Sequence, residues 1–362
     1  MQILKLSFDN LPSPYIKKCF AYCCIFPKDS KIERNMLIEL WMGEGFLQTD
    51  VKSQTMMEEI GMNYLRILLQ SSLFEEIIDE SDYPSKTCYQ MHDLVHDLSE
   101  SMSKSTKVIN DRDTCIVDNG DQIRYLAIDS FGGGEDRDKL LESLSTSLHT
   151  LFVNVDLSGD MLMKLKNLYV LNLSYTTTEE LPVSIGKLIH LRYVNLKRSA
   201  IGILPDSLCK LYNLQTLTLS YSKVKDLPKG IRDLISLRHL HYDISDNDFQ
   251  MPLEMGRLTC LQTLEFFNVG REKGRQIEEL GSLKNLKGKL EIRNLELVKG
   301  KEGAEEAKLS EKANLFGLVL QWACEREGDD YNDEDVLDGL RPHPNLEELV
   351  IWNFMGDQFP HG

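Results

Sequence analysis

The sequence predicts an α/β fold in which a small helical domain precedes an extended array of short parallel strands. Three observations carry this. A leucine pattern recurs every 23 or 24 residues beyond about residue 148, whereas the first 105 residues show the apolar spacing of helices. Between two short apolar runs, 74–78 and 88–91, lies a turn-rich stretch containing Pro84, which reads as a hairpin.

The repeats decide the larger part of the fold. Leu165-x-x-Leu168-x-x-Leu171-x-Leu173 is followed by Leu188-x-x-Leu191-x-x-Val194-x-Leu196, then by the same pattern from Leu211, Leu234 and Leu258. The steps between first leucines are 23, 23, 23 and 24 residues, the period of a leucine-rich repeat. At one phase each unit carries an apolar-proline pair: Leu181-Pro182, Leu204-Pro205, Leu227-Pro228 and Met251-Pro252. The x-Leu-x-Leu segment is a short strand whose alternation sends its leucines inward. A single repeat leaves an apolar face open, and stacking closes it into one core. Proline lacks a donor, so it marks where the return segment leaves the ladder.

Outward positions of successive strands then line up as columns on a concave face. The first runs Tyr169, Arg192, Gln215, Arg238, Gln262; the second Val170, Tyr193, Thr216, His239, Thr263; the third Asn172, Asn195, Thr218, His241, Glu265. Tyr169, Asn172, Arg192, Tyr193, Asn195, Arg238, His239, His241 and Glu265 are the expected partner-binding residues. Extended concave platforms suit protein partners, and tyrosine and arginine are frequent anchors there. The alternative is a solvated face without a ligand. Nothing in the columns reads as catalytic.

Regular repetition holds to about residue 268. Weaker units follow at Leu283, Leu315 and Leu346, separated by insertions. The segment 325–338 carries eight acidic residues against Arg326 alone and reads as a mobile solvated loop, or as a contact for a basic surface. No polar capping repeat is evident at the end, which leads us to expect truncation at the C-terminus.

In the first 105 residues, Ser13-Pro14 supplies an N-cap and first-turn proline for a helix with Ile16, Cys19, Phe20, Cys23 and Phe26 on one face. Ser30 to Glu33 reads as a capping box for a second helix carrying Met36, Leu37, Leu40 and Trp41, with Gly43 and Gly45 near its end. A third helix is expected over about 54–70, then the hairpin, then a helix from Asp93 to Met102. Three helices and a hairpin make a winged helix. The expected architecture is therefore α/β, a small helical winged-helix domain followed by a leucine-rich-repeat solenoid with a parallel concave sheet. Its boundaries are 1–105 for the winged helix, 106–145 for a connector and 146–362 for the repeats.

Composition removes several functions. Hydrophobic residues at 42% and charged residues at 27% support a sizeable core rather than disorder. A net charge of -16 opposes nucleic-acid binding, and residues 1–120 hold 12 basic against 19 acidic residues. The expected third helix of the winged helix presents Met56, Met57, Glu58 and Glu59, a poor surface for a phosphate backbone. No apolar run is long enough for a transmembrane helix, and the N-terminus lacks a signal-peptide pattern. A cytoplasmic location is expected. Eight cysteines without a Cys-x-x-Cys pair read as buried reduced thiols. His92-Asp-Leu-Val-His96 has the spacing of a zinc hydrolase, but Asp93 stands where glutamate is needed and no third ligand follows.

Longer motifs carry a family resemblance. Cys19-Phe-Ala-Tyr-Cys-Cys-Ile-Phe-Pro-Lys-Asp29, Leu37-Ile-Glu-Leu-Trp-Met-Gly-Glu-Gly-Phe46 and Met91-His-Asp-Leu-Val-His-Asp-Leu98 resemble the C-terminal part of a plant NB-ARC module. The class is that of non-TIR, coiled-coil nucleotide-binding leucine-rich-repeat disease resistance proteins, and the repeats follow in the expected order. The resemblance implies an ADP/ATP-controlled immune switch. In that family the histidine of the Met-His-Asp motif reaches the β-phosphate of ADP and holds the inactive state; the matching residue is His92. His96 has no such family role and reads as structural.

The chain departs from the family in lacking a phosphate loop ending in Gly-Lys-Ser/Thr; Gly132-Gly-Gly-Glu-Asp-Arg-Asp-Lys139 does not fit. One wall of a nucleotide site is therefore expected without its phosphate cradle, so that the chain alone neither hydrolyses ATP nor binds ADP appreciably. The implied partner is a pathogen effector or guarded host protein on the concave face. An N-terminal nucleotide-binding subdomain is a further partner if the chain belongs to a longer receptor. The competing expectation is a stand-alone leucine-rich-repeat interaction module or decoy. An extracellular receptor is a third, poorly served by the sequon Asn172-Leu-Ser174 on an expected concave strand.

Overall fold

The structure, a computed structural model, describes residues 2–48, 55–80, 86–109, 123–128, 134–242, 250–326 and 332–356. The expected hairpin turn at Pro84, the glycines at 132 and 133, Cys115 and the acidic stretch 327–331 lie outside the described residues. The chain divides into two compact units, Met1–Leu173 with His190–Tyr193, and Ser174–Ile189 with Val194–Gly362.

The first unit opens with α1 (Gln2–Asp9) and α2 (Pro14–Tyr22). Ser13 caps α2 as expected, accepting from the Tyr15 N–H at 3.2 Å, with Pro14 in the first turn. A 3-10 turn over Cys23–Ile25 leads to β1 (Ile32–Glu33), α3 (Arg34–Gly43), α4 (Met57–Gln70), β2 (Glu75–Asp79), β3 (Lys86–Gln90) and α5 (Asp93–Met102). The hairpin β2–β3 is antiparallel, and β1 pairs with the other edge of β3 through Ile32↔Tyr89 and Glu33↔Cys88. That pairing corrects the expected capping box. Glu33 is the N-cap of α3 but its side chain makes no cap bond, because the segment serves as a strand and its backbone is committed to the sheet. One core joins the helices: Ile16, Cys19, Phe20, Leu37, Leu40, Trp41, Leu65, Leu68 and Leu98 are each at most 2% exposed. Full burial of each aliphatic side chain there contributes about 1.5–3 kcal/mol relative to exposure.

The expected connector 106–145 is not a linker. It contains β4 (Thr106–Ile109), β5 (Tyr125–Ile128) and α6 (Gly134–Ser143), followed by β6 (Thr150–Val153), α7 (Gly159–Lys164) and β7 (Val170–Asn172). β4 to β7 run parallel in chain order, with Tyr125, Thr150 and Val170 in register. Tyr125-Leu-Ala-Ile128 lacks the full leucine pattern, so periodicity alone did not count it.

β8 (Tyr193–Asn195) straddles the division between the units. In the second unit β9 (Thr216–Thr218), β10 (His239–His241) and β11 (Thr263–Leu264) are parallel, with Thr216, His239 and Thr263 in register. The repeated proline does what its chemistry predicts. Pro182, Pro205 and Pro228 each stand immediately before a 3-10 turn, at φ -59°, -75° and -56°. The leucines face inward; Leu214, Leu217 and Leu219 are at most 1% exposed. The irregular part forms a four-stranded parallel sheet of β12 (Phe266–Asn268), β13 (Lys287–Arg293), β14 (Asn314–Gln321) and β15 (Glu348–Trp352), with α8 (Gly300–Glu305) and α9 (Asp333–Gly339) between strands. α9 corrects the acidic-loop expectation at its C-terminal half. The Arg326 guanidinium donates to both Asp333 carboxylate oxygens, at 2.7 and 2.8 Å, in a largely buried pair. A bidentate fork of this kind fixes the start of the helix.

Candidate functional site

The site of interest in the first unit is where the end of α3 meets the outward positions of the first repeat strands. Trp41-Met-Gly-Glu-Gly-Phe46 terminates the helix with a Schellman arrangement. The Phe46 N–H donates to the Trp41 carbonyl at 2.9 Å and the Gly45 N–H to the Met42 carbonyl at 3.0 Å, and Gly45 takes φ 74°, which glycine adopts without cost. Gly43 is needed for proximity. A Cβ there would stand 3.2 Å from both Tyr193 Cβ and Val170 Cγ2. The helix end therefore lies flat on the second column of the concave face, and Thr150, Val170 and Tyr193 are each at most 1% exposed.

Aromatic side chains fill the rest of this junction. Tyr22, Phe46 and Tyr125 meet edge to face at 5.1–6.2 Å between centroids, and Phe26 meets Phe152 at 5.7 Å. At its centre sits Glu44. The Thr150 hydroxyl donates to Glu44 Oε1, Tyr22 Oη lies 3.3 Å from Thr150 Oγ1, and Glu44 Oε2 has no hydrogen bond although His149 Nδ1 is 4.0 Å away. Burial pushes the Glu44 carboxyl up to about 7, against the Thr150 hydrogen bond and the fields of Arg192 and Arg124. Burial, with Arg124 nearby, lowers the His149 imidazole.

The expected partner residues fare differently. Tyr193 is under α3, so it is corrected from a contact for a partner to an internal one. Asn172, Asn195 and His239 are also buried, at 7%, 4% and 5% exposure. Asn195 Oδ1 accepts from the Lys197 N–H at 2.8 Å, a turn-closing role that accounts for its residue type. His239 Nδ1 lies 2.9 Å from Thr263 Oγ1, and His241 Nδ1 lies 3.0 Å from Glu265 Oε1, with the two imidazoles parallel. Tyr169, Arg192, Arg238 and His241 are partly exposed and Glu265 is exposed. The nine residues therefore do not form one open surface. Glu44, Thr150, His149 and Arg124 were missed. Only the Gly-Glu-Gly spacing hinted at them, and what those glycines approach is a tertiary fact.

His92 is the N-cap of α5, its side chain 78% exposed and its Nε2 3.2 Å from Glu75 Oε2. His96 is in the core, where Nε2 lies 2.8 Å from the Phe26 carbonyl oxygen. One imidazole therefore lies at the surface and the other is bonded inside. As a phosphate contact His92 offers one accessible donor, but an incoming phosphate would have to displace the Glu75 carboxylate. The seven described cysteines are all free thiols, five of them buried.

With this geometry in view, comparison with known proteins is decisive. The family described as a leucine-rich repeat region matches residues 147–361, and the winged helix domain of disease resistance proteins matches residues 25–99. The chain belongs to the leucine-rich-repeat family, and its first part carries the winged helix domain of disease resistance proteins. Disease resistance protein RGA2 of Solanum bulbocastanum is 42% identical over 362 residues, covering 99% of this chain and 34% of that protein. RGA1 from the same plant is 43% identical over 359 residues, covering 99% and 33%. The chain thus spans about a third of the length of the disease resistance relatives it matches. Among the described residues, no helix is long and apolar enough to cross a membrane.

Proposed function

We propose that this chain is the sensing and repressing end of an intracellular plant immune receptor. Its repeats recognise a pathogen-derived or guarded host protein, and its winged helix transmits repression to a nucleotide-binding subdomain. The observation that supports this most is the seating of α3 on the outward face of the first repeat strands within one compact unit. A partner that competes for that face shifts the winged helix, and a shifted winged helix moves His92. The resemblance gives His92 the ADP phosphate as its target. Its exposure at a helix N-cap suits that role, whereas a single donor beside Glu75 is too little to hold a nucleotide.

The test is reconstitution in leaf tissue. The chain is co-expressed with the nucleotide-binding portion of a relative such as RGA2, and cell death is scored. Repression by the chain, weakened in His92→Ala, is the expected result. If the two parts neither associate nor alter cell death, the chain is a stand-alone interaction module or decoy. Calorimetry on the isolated chain is expected to show no ADP binding.

A further inference from the structure

The residues that immediately precede β5, β6, β7 and β8 form one continuous column within the first unit. Each backbone N–H donates to the carbonyl of the residue before it in the column: His149 to Arg124, Tyr169 to His149 and Arg192 to Tyr169, all at 2.8 Å. The side chains stack along the same line. The His149 and Tyr169 rings are 4.7 Å apart between centroids, and the Arg192 guanidinium lies 4.9 Å from the Tyr169 ring centroid. His190 adds an edge contact to Tyr169 at 6.2 Å. Arg124 and His190 are exposed; His149, Tyr169 and Arg192 are half-buried. The neighbouring column is closed at Thr150, Val170 and Tyr193, whereas every member of this strip keeps some exposure.

Its chemistry runs against that of the molecule. In a chain of net charge -16, these five positions hold two arginines, two histidines and a tyrosine. Among the described residues, Glu44 is a carboxylate that feels Arg192, Arg124 and His149, and it is buried rather than open to solvent. Arg192 is positioned by donating to the Gly43 carbonyl at 3.4 Å and by stacking on Tyr169, which lowers the ordering cost of an incoming anion. A guanidinium held on an aromatic face still presents its remaining donors to a carboxylate.

We propose that Arg124, His149, Tyr169, His190 and Arg192 form a docking strip for an acidic, carboxylate-rich segment of a protein partner. The proposal rests on the protein-recognition reading above and narrows its partner class. An anion seated here also favours protonated His149, whose imidazole faces Glu44 and Tyr169 and feels Arg124, with Arg192 and His190 against Tyr169, so binding takes up protons and tightens on acidification.

The test uses the intact chain and a fluorescein-labelled decaglutamate peptide, read by anisotropy at low salt, with decalysine as the control. The overall charge repels decaglutamate, so binding requires a local strip. Saturable binding is expected, weakened about tenfold by Arg124→Glu, and tighter at pH 6 than at pH 7.5. Arg124 is exposed, so its variant keeps the fold; Arg192→Gln, checked by circular dichroism, is the second variant. Absence of binding at millimolar peptide overturns the proposal, as does equal binding by Arg124→Glu. Clear preference for anionic vesicles or RNA over the peptide overturns it as well. These outcomes are read on the isolated chain, so they are independent of whether leaf cell death is repressed.

Discussion

His92 and His96 sit one turn apart on α5, and their surroundings give them opposite sensitivities to substitution. Replacing His96 by alanine leaves the Phe26 carbonyl in the core without its partner, at a cost of about 1–3 kcal/mol. His92→Ala removes an exposed imidazole and is expected within about 0.5 kcal/mol of the parent. Urea denaturation of the two variants checks this, and equal losses would contradict it. Lys312 is a second residue with a clear expectation. It is fully buried, donating to the carbonyls of Leu280 at 2.7 Å and Leu283 at 3.1 Å, and burial pushes its ammonium down to about 8 from 10.5. Between those values the unfolded chain holds a proton that the folded chain has shed, so this group's contribution to stability rises with pH. Below pH 8 the cost of burying the charge is present in full. Lys312→Met is expected to flatten the rise in urea midpoint between pH 8 and 10.

The element that matters most is the Schellman-capped end of α3. Glu44 is buried there and titrates near 7 against an unfolded value near 4.5, so the folded chain holds a proton that the unfolded chain releases. Its contribution to stability therefore falls as pH rises from about 4.5 to 7 and stays low above that. Glu44→Gln keeps an acceptor for Thr150 but abolishes the slope, and at pH 8 it is expected to stabilise the first unit by on the order of 2–3 kcal/mol. Hydrogen exchange at α3 and β6 across pH 5–8 reads the effect; an unchanged slope in the variant would sink the assignment. Gly43→Leu places a side chain where a Cβ is already 3.2 Å from Tyr193 and Val170, and is expected to lift α3 and raise exchange in β6 and β7. The helix and its glycines were legible in the sequence, since apolar spacing and Gly-x-Gly mark an ending helix. The face that this ending covers was not, because no periodicity relates residue 43 to residue 193.

At the scale of the molecule, the winged helix and the first repeat strands are one packing unit rather than two domains on a tether. Val170 and Tyr193 belong to the same apolar cluster as Phe20, Trp41 and Leu65. Removing residues 2–103 is expected to expose that surface and give dye binding and aggregation in place of a folded repeat fragment. A soluble, cooperatively melting fragment starting at Lys104 would show that the repeats stand alone. The same packing explains why the nine-residue concave surface was overestimated. Alternation tells which residues face outward from a strand, but not whether another element lies against them.

The sequence by itself determined the repeat period, the inward leucines, the proline-marked returns and the winged-helix elements, because each is governed by interactions within about 24 residues of chain. Tertiary structure alone decided that β4 and β5 extend the parallel sheet. It also placed Glu44 next to Thr150 and His149, and left Arg124, His149, Tyr169 and Arg192 as the open column beside closed neighbours. The last two outcomes depend on contacts between residues more than a hundred positions apart, where burial of one surface by another sets the charge state and accessibility of each side chain.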